Sequence, residues 1–221
     1  MSVEGGIKFV RKPTGTNKYI AKIKPVIRNT KLSQLKIDDI AKYMDISKVT
    51  LYKYFSSKDE IIQQVVEYFI SFLQEVDAVV QDDSVSFVDR FQQTFLQSLI
   101  SVIYISDVFL QDLKEFYPHL FENLAIAQKN RNQNLQAFFE SGMEQNIFNR
   151  MNAVLSMVQD DAVLRRIMEP SFSIQYDVTL KQAILDFYSM KKYQWLTPEY
   201  LHSTDDSFVA KRVSEILQTI S

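Results

Sequence analysis

KIDDIAKYMDISKVTLYKYFSSKDE, residues 36–60, decides how this chain is read. Ile37, Ile40, Ala41 and Met44 recur at helical spacing, and Leu51 and Phe55 resume it after a break. The break is Asp45-Ile46, and Asp is among the few residues that tolerate a left-handed turn conformation. Ser47 is placed to cap a second helix by accepting from the amide of Val49 or Thr50. Ser57 caps a third helix, with Asp59 and Glu60 in its acidic first turn. The pattern predicts short helices over 37–44 and from 48 onward, joined by a tight turn. Off the apolar stripe, the second helix presents Lys48, Val49, Thr50, Tyr52, Lys53 and Tyr54. Cations and hydroxyls in that density suit a phosphate backbone and base edges, and a helix-turn-helix holds one helix in the major groove.

Charge along the chain agrees. The 221 residues carry a net charge of −2, but residues 1–60 hold 13 Lys and Arg against 6 Asp and Glu, which is +7. The remaining 161 residues come to −9. A basic head on an acidic body is built to meet a polyanion at one end only. Three of the four glycines, with Pro13, Lys8, Arg11 and Lys12, make residues 1–17 a flexible basic tail. Such a tail either reaches a minor groove, as basic arms do, or makes no contact.

After Gly15 only Gly142 remains, too few turn formers for many hairpins, so the chain is expected to be all-α. Tyr19, Ile20, Ile23, Val26 and Ile27 follow helical spacing, with Pro25 expected to kink or split that helix. Further helices are expected over about 57–80, 86–105, 107–116, 118–142, 152–168, 178–193 and 208–220. Pro170 is read as lying just past a helix end, and 198–206 as a loop. This divides the chain into the tail, a three-helix DNA-binding head at 18–60 and a larger helical domain at 61–221.

The stretch from residue 36 to 62 resembles the N-terminal signature of the TetR (tetracycline-repressor-like) transcriptional regulators. The resemblance rests on Asp39-Ile40-Ala41, Ile46-Ser47, Thr50-Leu51-Tyr52, Tyr54-Phe55 and Ser57-Lys58-Asp59-Glu60. It covers roughly residues 18–65, and a Gly142–Phe148 segment is similar to a helix-end pattern of the family. Departures are Lys31, Asp45 and Val49, where the family often has glycine, Lys36 where it has a capping threonine, and Pro25. The resemblance implies that Lys48, Val49, Tyr52 and Lys53 face base edges, and that Thr50, Tyr52, Tyr54 and Lys58 contact phosphates. For Tyr52 and Tyr54 the plainer reading is half-buried aromatics.

It also implies that the body binds an effector and forms a homodimer through two late helices, here 152–168 and 178–193. Met151, Val154, Leu155, Val158, Ala162, Leu164, Ile167 and Met168 give the first of these a wide apolar band, which needs burial on more than one side. A ligand pocket is harder to read. Tyr104, Phe109, Phe116, Tyr117, Phe121, Phe138, Phe139, Met143 and Phe148 fit an apolar site, but at helical spacing a plain core is favoured.

Enzyme readings find no support. The two histidines, His119 and His202, lie in no metal spacing, and there is no nucleophile elbow, P-loop or dinucleotide fingerprint. Glu140 with Glu144, and the pair Asp160-Asp161, read as solvated helix faces. No cofactor and no metal is expected. Without cysteines, a signal-like N-terminus or a span-length apolar run, the protein is read as cytoplasmic and not bound to a membrane. The expected function is a sequence-specific DNA-binding regulator, a repressor released by a small ligand, with double-stranded operator DNA as partner. The alternative is a helical interaction protein of the same fold that has lost DNA binding.

Overall fold

The computed structural model describes residues 15–202 and 204–220. The basic segment, but for its last three residues, lies outside that range. Among the described residues the regular structure is helical, apart from one isolated antiparallel bridge between Phe148 and Leu196. No single helix there is long and apolar enough to cross a membrane. The chain forms two compact units.

The head unit takes the chain up to Ser71 together with Asp107–Leu124. It holds α1 (Asn17–Ile27), a single 3-10 turn (Leu32–Gln34), α2 (Ile37–Tyr43), α3 (Lys48–Tyr54) and the first half of α4 (Lys58–Val80). It also holds α6 (Asp107–Phe116) and the first turns of α7 (Pro118–Glu144). Its core is aliphatic: Ile20, Ile23, Ile27, Ile40, Leu51, Ile61 and Val65 have no measurable exposure. Phe69 of α4 meets Phe109 of α6 edge to face, with ring centroids 5.3 Å apart. The head therefore includes a segment that a division at residue 60 assigns to the body.

Pro25 does not split α1, which runs unbroken from Asn17 to Ile27. It sits on the exposed side of the last turn. The bond it cannot donate would have gone to the carbonyl four residues back, and only one such bond is lost.

The body unit contains the rest of α4 and α7, with α5 (Phe87–Tyr104), α8 (Ala153–Ile167), α9 (Pro170–Tyr176), α10 (Leu180–Trp195), α11 (Pro198–Leu201) and α12 (Ser207–Gln218). Ser86, Asn152 and Thr179 cap α5, α8 and α10 through their side-chain oxygens. α5 runs through the core, buried from Arg90 to Ile103 on nearly every face. α9 and α11 correct the sequence reading. Both carry Pro in the first turn, so Pro170 and Pro198 begin helices rather than mark their absence. Gly142 is required for packing: a Cβ there would lie 2.2 Å from the Phe148 ring. The backbone of 147–149 is tied to the end of α10 by Asn149 N–H to Trp195 O (2.7 Å) and Thr197 N–H to Ile147 O (3.1 Å).

Candidate nucleic-acid interface

The turn between α2 and α3 is built as the sequence suggests. Asp45 is left-handed at φ 57°. Ile46 N–H donates to Ala41 O and Asp45 N–H to Lys42 O, each at 3.0 Å, which is a Schellman ending with Asp where glycine is usual. Ser47 then accepts from the Thr50 amide at 3.0 Å, and its hydroxyl lies 2.9 Å from that of Thr50. At the start of α2, the Asp39 carboxylate accepts from Lys36 N–H at 3.1 Å. This is one half of a capping box, because an ammonium cannot accept the other bond.

α3 is held by few side chains and displays the rest. Leu51 and the following Phe55 are buried, whereas Val49 is 71% exposed and Tyr52 49%. Lys48 and Lys53 are exposed on the same short helix. The structure therefore brings the four expected base-facing residues onto one open surface. Lys48 forms an ion pair with Asp38 of α2 at 2.9 Å, and that contact raises its pKa and keeps it charged.

The expected phosphate-facing residues are more engaged. The Thr50 hydroxyl shares a hydrogen bond with Ser47. Tyr54 is 40% exposed, its ring centroid lies 5.0 Å from that of Tyr19, and Lys18 sits 4.7 Å from the Tyr19 ring centre. The hydrogen bond between the two tyrosines lowers the pKa of Tyr19 and raises that of Tyr54. The Lys58 ammonium donates to Ser33 O at 2.6 Å, and partial burial lowers its pKa despite Asp112 and Asp59 nearby.

Residues missed by sequence reasoning fasten this surface from behind. Asp112, buried on α6, accepts from the backbone N–H of Ser33 at 2.9 Å and from its hydroxyl. Lys31 pairs with Glu115 at 3.2 Å, and the Tyr117 hydroxyl donates to Asp59 at 3.3 Å. The partners are 58 to 84 residues apart in sequence. The one local signal is an Asp facing the apolar stripe of α6.

The residues proposed from sequence for a ligand pocket are divided between the two units. Phe109, Phe116, Tyr117 and Phe121 belong to the head unit, and Tyr104, Met143 and Phe148 to the body. Phe116 is 51% exposed. Phe148 is core: its ring packs on Phe87, Phe91, Phe138, Phe139 and Trp195.

The body instead buries charge. Lys191 of α10 pairs with Asp160 of α8 at 2.8 Å and also donates to the Ser156 hydroxyl. Asp160 is thus not on a solvated face, as its sequence position beside Asp161 suggests. Only Asp161 points outward, to Arg165 at 2.9 Å, because neighbours on a helix diverge by about 100°. Burial pushes the Asp160 carboxyl up to about 6, against the pull of Lys191 and Arg131. Among the described residues no group of three or more His, Cys, Asp or Glu could hold a metal.

α8 and α10 also expose large apolar side chains. Val154, Leu155 and Val158 on α8 and Met190 and Tyr193 on α10 are each between 44% and 66% exposed. The opposite side of α8, with Ser156, Leu164 and Ile167, is buried in the body's own core.

Residues 32–65 match the family profile described as bacterial regulatory proteins, tetR family. Over 149 residues the chain is 20% identical to an uncharacterized HTH-type transcriptional regulator, YvaF, of Bacillus subtilis (strain 168), covering 67% of this chain and 78% of that protein. Its fold is similar to that of the ketosteroid transcriptional regulator KstR2 of Mycobacterium tuberculosis, at TM-score 0.58 and 16% identity over 81% of this chain and 94% of that one. It is also similar to AibR in complex with isovaleryl coenzyme A and operator DNA, at TM-score 0.56 and 15% identity over 78% of this chain and 97% of that one.

Proposed function

We propose that the chain is a member of the tetR family of bacterial regulatory proteins, whose profile residues 32–65 match, and that it is a cytoplasmic, homodimeric repressor that leaves its operator when a small ligand binds the body. The observation that carries this reading is the open face of α3. Val49 and Tyr52 are large, exposed and flanked by two cations, while Leu51 and Phe55 are the buried side chains of the segment. A core explains none of the four, whereas a major groove uses all of them. Lys48 and Lys53 donate to guanine O6 and N7, Val49 meets a thymine methyl, and Tyr52 bridges base and backbone. Thr50, Tyr54 and Lys58 then serve phosphates, with the amides at the start of α4 beside Lys58.

Dimerisation rests on the apolar sides of α8 and α10, which the chain's own core leaves uncovered. Two heads would meet successive major grooves about 34–36 Å apart or somewhat more. Ligand control then works by population shift: the effector binds one spacing of the heads better than the other, and only one fits the operator. No catalytic role is proposed.

The test is binding of the purified dimer to DNA from upstream of its own gene, compared with random DNA over a salt series. A regulator gives a steep negative dependence of log K on log salt and a preference of about 1000-fold or more for its site. Binding without preference would remove the reading.

A further inference from the structure

α2 opens with two adjacent aspartates, Asp38 and Asp39, and the fold accounts for one of them. The Asp39 carboxylate accepts from Lys36 N–H and so caps the helix. Asp38 does not cap. Its side chain is 69% exposed and reaches across to α3, where it lies 2.9 Å from the Lys48 ammonium. Among the described residues that ammonium is its one polar partner. An acid in the first turn of a helix gains a little from the macrodipole, but Asp39 already supplies one, and the macrodipole does not direct a side chain to the next helix.

The placement works against DNA affinity. α3 presents Lys48, Val49, Tyr52 and Lys53 on one open surface, and a carboxylate beside that surface repels the phosphates it would approach. The two cations of α3 are treated differently. Lys53 forms no ion pair among the described residues, so it can take any acceptor the DNA offers. Lys48 is held, and its hydrogen bond to Asp38 is the foremost cause that raises its pKa. An exposed pair of this kind adds little to stability, so stability is not the reason for it.

We propose that Asp38 determines specificity through Lys48: it keeps the ammonium aimed at a base edge and withholds it from phosphates. The inference rests on the regulator reading and concerns how the same face tells its operator from other DNA. A lysine ammonium is a point charge on a flexible four-carbon stem, and phosphates are the acceptors it meets first. To reach one, Lys48 has to leave Asp38, and the carboxylate then stands unneutralised beside the polyanion. A guanine does not demand that exchange. An ammonium has three donors, one for Asp38 and two for O6 and N7. The penalty falls on sequence-blind binding, which is how a repulsive group sharpens specificity. Asp38 touches no base itself; it is a positioning residue.

The experiment uses the full chain and two DNAs: the duplex that the wild type selects from a random pool, and an unselected duplex of the same length. Both affinities are measured over a salt series. For Asp38→Ala, binding to unselected DNA is expected to tighten about threefold or more and its salt slope to steepen by about one, because Lys48 becomes available to a phosphate. The ratio of selected to unselected affinity should fall by about three- to tenfold, within the loss expected of a base contact. Asp38→Asn, which keeps the shape without the charge, should move the ratio the same way. Asp38→Glu should hold it nearer the wild type. In a Lys48→Ala background the ratio should not respond to Asp38→Ala, since nothing is left to position.

Loss of a negative charge by itself tightens both DNAs by the same factor. An unchanged ratio for Asp38→Ala therefore overturns the proposal, and so does a ratio that falls as far without Lys48 as with it. A wild type that selects no sequence removes the regulator reading and this role together. Selection by the wild type with an unchanged ratio in the variant removes the role of Asp38 and leaves the regulator standing.

Discussion

Asp112 holds Ser33 by two hydrogen bonds, one from the backbone N–H at 2.9 Å and one from the hydroxyl, across 79 residues of sequence. The carboxylate is almost wholly buried, so neither bond is easily replaced by water. Ser33 O in turn accepts from Lys58 at the start of α4. One serine thus joins α6, the turn before α2 and the helix after α3. Asp112→Ala strands the Ser33 N–H and is expected to cost about 1–3 kcal/mol in chemical denaturation. Asp112→Asn keeps an acceptor and should cost less. Equal losses would show that charge, not geometry, is what the contact supplies.

The α2–α3 turn makes a paired prediction. Ser47→Ala removes the cap on Thr50 N–H and should destabilise by about 1 kcal/mol. Asp45→Gly relieves a left-handed residue at φ 57° and should be neutral or stabilising by up to about 1 kcal/mol, after allowing for the exposed Lys22 pair at 3.0 Å. Thermal melts of the two variants should move in opposite directions or differ by at least the cap's contribution.

On DNA, Lys48→Ala should lose discrimination at one base pair, about 1–3 kcal/mol, while non-specific binding changes little. Lys58→Ala should weaken all sequences alike and lower the salt slope by about one. Competition assays with single-base operator variants separate the two. If Lys48→Ala weakened every site equally, Lys48 would be a phosphate contact.

Gly142→Ala tests the body. The added methyl would meet the Phe148 ring at 2.2 Å, and that ring is locked by four others and Trp195. Overpacking of this kind costs about 1–3 kcal/mol, read as a lowered denaturation midpoint. Phe148→Leu in the same chain should recover part of it by making room.

Asp160 sets a pH dependence. Its folded pKa, about 6, stands above the ordinary 3.8, so the folded state holds the proton more tightly than the unfolded one. The stabilisation is fully present below about pH 4 and is lost as pH rises through about 6, on the order of 3 kcal/mol in all. Urea midpoints across that window should fall with rising pH for the wild type more than for Asp160→Asn.

Helix starts are legible in the sequence because short polar caps announce them. Ser47, Ser57, Ser86 and Asn152 each accept from the amide three residues on. The open face of α3 is legible because Leu51 and Phe55 alone carry its inward spacing. The Asp112 contact is not, since nothing near residue 112 refers to residue 33. Asp160 misleads for a different reason. Ser156, Asp160, Leu164 and Ile167 form one stripe at helical spacing, and that stripe faces inward; judging Asp160 by its neighbour Asp161 ignores it. Pro170 and Pro198 look like stops because a proline can close one helix and equally well open the next.

The head is visited by the chain twice, once up to Ser71 and again from Asp107 to Leu124. A clone cut after the helix-turn-helix would therefore leave Phe69 without Phe109 and Ser33 without Asp112. Grafting this DNA specificity onto another protein would require transplanting two separate segments. Recombination at the apparent domain boundary would yield a head missing a wall.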